Sequence, residues 1–327
     1  MFIEQGIKPE NKFWKYIFGF LTFLLAYVIG QLPFTLAVLY KTISMGEGIP
    51  SDTNKLMTVL DSNLTLFLLL LTFVFAFLGI YVAVKYINKQ KFIEIVTARK
   101  NLDWKRVFFS FTIWAIFSVV SIVILYYDSP QDFVINFNLI PFLILAVIAI
   151  VLIPIQTSTE EFVFRGYLMQ GFGVLFLNKW APLLITSILF GLMHIFNPEV
   201  DKLGYAILIY YIGTGLFLGV ITLMDDGMEL CLGFHAANNL IGALLVTTDW
   251  TVFQTNSILK DISDPDVGFD VIMPVIVIFP ILIFIFAKKY NWVNWKEKLT
   301  GKIVPNYNIK EDYEIATKTE FVENKNQ

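Results

Sequence analysis

Apolar residues occupy long uninterrupted blocks separated by short polar clusters, a pattern that predicts helices rather than strands with alternating faces. A helix needs about 20 predominantly apolar residues to cross a bilayer. Eight runs meet that requirement, near residues 14–42, 63–87, 107–127, 136–156, 180–196, 204–224, 228–247 and 270–288. The expected fold is all-α, a polytopic transmembrane helical bundle of about eight spans, with an additional membrane-associated helix at 157–177 that carries a polar motif.

That additional segment follows Pro154 and the polar run Gln156-Thr157-Ser158-Thr159. A helix starting there would take Ser158 or Thr159 as its cap and place Glu160 and Glu161 in its first turn, where the helix dipole favours anions. Gly166, Gly171 and Gly173 then stand among bulky apolar residues, suiting close helix contact or an irregular segment along a cavity. No linker divides the chain and no fixed repeat runs through it, so residues 14–290 are expected to form one domain. Residues 1–13 precede it as a cytoplasmic amino terminus, and residues 291–327 follow as a cytoplasmic tail, polar and flexible beyond about Leu299. Trp104-Lys105-Arg106 and the aromatic-rich stretch from Tyr290 to Lys296 have the composition of interfacial anchors.

Composition turns this pattern into a class. The chain is 57% hydrophobic and 16% charged, whereas a soluble domain is about 25% charged, so an integral membrane protein is expected. The net charge of −3 and the absence of a basic stripe exclude nucleic acid as an expected partner. Lys and Arg crowd the amino terminus, the stretch from Lys85 to Arg106, and the region from Lys288 onward; the loops at 43–62, 128–135, 197–203 and 248–269 hold only Lys55, Lys202 and Lys260. By the positive-inside rule both termini are cytoplasmic. The first apolar run is too long for a signal-peptide core and is expected to be a retained helix, and the lone Cys231 is expected to be a packing residue.

Only then does candidate chemistry stand out. The chain has two histidines, His194 and His235, both inside apolar segments, and three charges lie within Glu160-Glu161-Phe162-Val163-Phe164-Arg165. An ionisable group at the bilayer centre costs about 2.5–3.5 kcal/mol on insertion scales. Glu161 and Arg165 share a helix face as an ion pair, while Glu160 points about 100° away without an adjacent partner. Phe190 and His194 are four residues apart, as are His235 and Asn239, so each pair shares a face. Taken alone, each group has a structural reading: an ion pair for Glu161 and Arg165, a satisfied structural histidine at His194, and an interhelical hydrogen-bond pair for His235 and Asn239. If the three converge, they assemble a base, two imidazoles, an amide donor and a cation, a set sufficient to hydrolyse a peptide bond with activated water. Glu160, His194 and His235 also match the ligand types of a catalytic divalent metal such as zinc, although the helical His-Glu-x-x-His signature is absent.

These three motifs, Glu160-Glu161-x-x-x-Arg165, Phe190-x-x-x-His194 and His235-x-x-x-Asn239 in that order on successive apolar segments, resemble the CAAX-protease and bacteriocin-processing family, also called the Abi family, whose Ras-converting-enzyme-like members are intramembrane proteases. The similarity spans roughly residues 135–247. It implies that Glu160 activates water with help from His194, that His235 and Asn239 stabilise the oxyanion, and that Glu161, Arg165 and Phe190 orient the site. It implies a membrane-associated peptide or protein substrate, either prenylated at a CAAX terminus or of bacteriocin or pheromone type, and a bacterial-type plasma membrane. Family members are commonly described as metalloproteases, and a glutamate mechanism without metal is also proposed for them. The expected activity is cleavage near the cytoplasmic side. The alternatives are a non-enzymatic bacteriocin-immunity or membrane scaffold protein, and a proton-coupled transporter, which the lack of inverted-repeat hydropathy disfavours.

Overall fold

The computed structural model describes residues 1–50, 52–264 and 268–305; the carboxy-terminal part of the expected flexible tail, residues 306–327, lies outside the described residues. Among the described residues, six helices are long and apolar enough to cross a membrane. They are α1 (Phe13–Ser44), α2 (Ser62–Ile87), α3 (Trp104–Asp128), α4 (Leu139–Phe176), a segment from Pro198 to Asp225 whose main helix is α6 (Ile207–Asp225), and α8 (Val271–Tyr290). Two shorter helices complete the bundle, α5 (Trp180–Leu192) and α7 (Glu229–Leu245), and α9 (Trp295–Thr300) follows α8. All eight predicted runs are therefore helical, two of them shorter than a full span. The fold is mostly an all-α bundle, and a small sheet joins two loops at one end: β1 (Phe133–Ile135) pairs antiparallel with β3 (Leu259–Asp261), which pairs in parallel with β2 (Val246–Thr247).

The expected helix start at Ser158 or Thr159 is not present. Residues 157–177 do not form a separate element but continue α4, which runs 38 residues from Leu139 to Phe176 with Pro154 inside it. In an apolar surrounding, a helix break would strand backbone groups with no water to satisfy them. The hydroxyls of Thr157 and Thr159 instead donate back to Ile153 O at 3.1 Å and Ile155 O at 2.7 Å, so they serve the helix interior and not a cap. From Phe162 to Leu168 the helix widens into π-turns, a distortion frequent at functional sites.

Helix α7 is central, packing along α3 and α4, while α2 lies between α1 and α4, and α5 pairs with α6. Two glycines permit the close approaches that matter for the site. A Cβ on Gly191 would stand 2.3 Å from Ile212 Cγ1, and one on Gly233 would stand 2.0 Å from Val107 O. The core gathers around Phe164, Phe190, Phe217, Phe234 and Phe279, with Trp114 tilted against Phe234. At the end holding the amino terminus, the turn Ile3–Gly6 is packed against the bundle, and buried Ile303 ties the segment after α9 to it, its N–H donating to Leu177 O.

Candidate active site

The geometry of the site follows from the continuity of α4. Counting 1.5 Å per residue, Glu160 stands about 24 Å from the Phe176 end of α4, and His194 about 21 Å from the Trp180 end of α5. These two ends are joined by a turn, so the glutamate and the histidine reach a similar depth. The unbroken helix thus carries Glu160 well away from the turn that joins α4 to α5.

A cavity of about 440 Å3 opens within the bundle, and Glu160, Phe190, His194, His235 and Asn239 all line it. Glu161 and Arg165 do not. They lie behind the cavity wall, both fully buried, with Arg165 Nη1 donating to Glu161 Oε1 at 3.2 Å and Nη2 to Gly215 O at 3.3 Å. The Arg165 guanidinium also stands 4.1 Å from the centre of the Phe190 ring, which covers the cation with an aromatic face. Cys231 is buried as expected and donates its thiol to Glu161 Oε2 at 3.0 Å.

The two imidazoles are oriented differently. His235 Nδ1 meets Glu161 Oε1 at 2.6 Å, and a carboxylate paired with arginine can only accept there, so Nδ1 carries the proton. Its Nε2 is thereby turned toward Glu160 Oε2, 3.6 Å away, too long for a direct hydrogen bond. His194 lies two residues beyond the last residue of α5, and its Nδ1 meets Phe190 O at 2.8 Å. Because a carbonyl only accepts, Nδ1 is again the donor and Nε2 keeps a lone pair. Tyr211 stacks on the His194 ring with centroids 4.1 Å apart and planes inclined by 17°.

Four further residues support the site without having been singled out in the sequence. Gln156 donates to Glu160 Oε1 at 2.6 Å and accepts from Asn239 Nδ2 at 3.1 Å. Asn238 donates to Asn239 Oδ1 at 3.0 Å, and Trp114 Nε1 donates to Asn238 Oδ1 at 3.1 Å. This relay from α3 through α7 to α4 fixes one oxygen of Glu160 and leaves the other facing His235. The signal for Gln156 was its position four residues before Glu160 on a shared face, hidden by its assignment to a helix start. Tyr211 carried no such local signal.

A catalytic zinc takes three protein ligands and keeps one open position. Among the described residues no three His, Cys, Asp or Glu side chains are grouped to hold an ion. As placed, Glu160, His194 and His235 do not make a closed three-ligand set.

Comparison with known proteins gives the chain a family. A family model described as type II CAAX prenyl endopeptidase Rce1-like matches residues 136–241, which contain every cavity residue singled out from the sequence. The chain is also 32% identical over 250 residues to the uncharacterized protein YyaK of Bacillus subtilis (strain 168), covering 76% of this chain and 83% of that relative. No solved structure matches. With three ordered motifs brought to one cavity inside the matched segment, this integral membrane protein belongs to the Rce1-like family of type II CAAX prenyl endopeptidases.

Proposed function

We propose that the protein is an intramembrane endopeptidase in which Glu160 activates a water molecule for attack on a peptide carbonyl. The observation that carries this reading is the placement of Glu160: one oxygen is held by Gln156 at 2.6 Å, and the other faces His235 Nε2 at 3.6 Å across the cavity. Glu160 takes the proton from water, and the His194 Nε2 lone pair accepts from the same water to aim it. The tetrahedral oxyanion receives the second N–H of Asn239 Nδ2, whose first is spent on Gln156. With Nδ1 committed to Glu161, His235 faces the reacting atoms through Nε2, beside Glu160 Oε2. The proton on Glu160 then passes to the leaving amine. Glu161 and Arg165 act as positioning residues, balancing each other's charge and holding His235.

The substrate class is a membrane-associated peptide or protein, of prenylated CAAX type or of bacteriocin or pheromone type, and both termini of the protease face the cytoplasm. The test is cleavage of a panel of lipidated and membrane-anchored peptides by purified protein in liposomes, comparing wild type with Glu160→Gln, each with and without a chelator. Loss of cleavage in Glu160→Gln supports the assignment, and undiminished turnover by that variant refutes it. The chelator arm reads separately whether an ion such as zinc is required.

A further inference from the structure

The two ends of the bundle differ in charge and in how they are closed. The end carrying the amino terminus, the 88–103 segment, the 177–180 turn and α9 holds most of the lysines and arginines, and it is sealed. Arg99 pairs with Asp225 at 3.2 Å and with Glu229 at 3.0 Å, Arg106 joins Asp225 and Asp103, and Trp292 Nε1 donates to Asp225 Oδ1 at 3.0 Å. Phe2 N and Lys298 Nζ both bond Asp226, at 3.1 and 2.8 Å. Gln170 donates to Phe2 O and to Glu94 O, and above this layer lies the fully buried Glu161–Arg165 pair.

The cavity runs the other way. Beyond the site it is lined by Asn197, Glu199, Gly242, Val246, Thr251 and Val252, all from the end that holds the three-stranded sheet. Two segments meet at its mouth, the short helix Pro198–Leu203 and the stretch after β2, where Val252 N donates to Glu199 Oε1 at 3.0 Å. None of the connecting segments of the sealed end lines the cavity among the described residues.

We infer that the cavity is loaded from the extracytoplasmic side of the membrane, so that the substrate is a peptide segment already carried across the bilayer or held in its outer half. This rests on the proposed protease reading and narrows its substrate to the exported, bacteriocin or pheromone type, since a prenylated terminus is made on the cytoplasmic side, and it replaces the expectation of cleavage near the cytoplasmic side. Two relationships carry it. The positive-inside rule assigns the sealed, basic end to the cytoplasm, and the cavity mouth is built from the lysine-poor loops at the other end.

The test is labelling of single introduced thiols by a membrane-impermeant maleimide on intact spheroplasts and after permeabilisation. Gly242→Cys probes the cavity, since a Cβ there meets nothing within 4 Å. Thr251→Cys probes the mouth, and Lys100→Cys, at an exposed position, probes the sealed end. Cys231 is fully buried and serves as the internal control: a folded variant takes up roughly one label per chain, and a misfolded one approaches two. The expected result is labelling of Gly242→Cys and Thr251→Cys on intact spheroplasts and of Lys100→Cys only after permeabilisation. Labelling of Gly242→Cys only after permeabilisation, or its failure in both states in a folded variant, overturns the inference, as does labelling of Lys100→Cys on intact spheroplasts. The readout needs no cleavage, so a failure of the protease reading leaves it standing, and its own failure leaves the protease reading standing.

Discussion

His235 Nδ1 lies 2.6 Å from Glu161 Oε1, and this contact couples the buried ion pair to the cavity. Glu161 accepts from His235, Arg165 and Cys231 together, so a residue with no exposure of its own decides which nitrogen of the cavity histidine is presented to Glu160. The two adjacent glutamates therefore divide the work by helix geometry. One turns into the cavity, and the other turns into the packed interior.

Glu160→Gln should lower the cleavage rate by about 10²–10⁴-fold, the range of a positioned general base. The substitution keeps an acceptor oxygen for Gln156, so the relay through Asn239 survives. Peptide cleavage and a thermal melt of the same preparation check both halves, with the melting temperature expected to stay near wild type.

Glu161→Gln should behave differently, losing stability as well as activity. Removing one partner of a fully buried ion pair leaves Arg165 uncompensated, a loss of about 3–5 kcal/mol. Adding Arg165→Met to the same chain removes both charges and should recover much of the melting temperature while cleavage stays low, since His235 still lacks its carboxylate. A double variant no more stable than Glu161→Gln alone would count against the ion-pair account.

Gln156→Ala should reduce kcat by about 10–100-fold with little change in KM, because a small misplacement of a reacting group costs up to about 10². Gln156 touches Glu160 and Asn239 and holds both. Steady-state kinetics on a soluble lipopeptide separate this from loss of substrate binding. A rise in KM with unchanged kcat would assign Gln156 to binding instead.

Gly191→Val should disturb the pairing of α5 with α6. A Cβ at this position already overlaps Ile212, and overpacking of this kind costs about 1–3 kcal/mol. Because His194 follows α5 by two residues and stacks on Tyr211 of α6, the folded fraction should also cleave more slowly. Melting temperature and activity per folded molecule report the two effects separately.

Thiol-alkylating reagents should leave cleavage by the native protein unchanged. Cys231 is fully buried and its thiol is engaged by Glu161. Mass measurement should find no adduct before denaturation and one adduct after it. Inactivation accompanied by an adduct on the folded protein would place the thiol in the cavity.

Much of the lining of the candidate site was legible in the sequence. Helical spacing of four puts Glu161 beside Arg165 and His235 beside Asn239, and the bilayer makes every charge in such a segment expensive, so these residues stand out from an apolar background. Gln156 and Tyr211 did not stand out. A glutamine beside three hydroxyl residues looks like part of a polar lead-in to a helix, and a tyrosine in an apolar helix looks like packing, until the fold sets one against Glu160 and the other against His194.

The sequence by itself determined that this is a helical membrane protein and which residue types are available for chemistry, because hydropathy and helical period are local properties of the chain. Whether α4 breaks at Thr157 or continues through it was decided only in the folded bundle, where an interrupted helix would leave buried backbone groups without partners. That continuity sets the depth of Glu160, and the packing of α3, α4 and α7 closes the relay that aims it. The direction in which the cavity opens is likewise a tertiary property, since its mouth joins segments about 50 residues apart in the chain, represented by Glu199 and Val252.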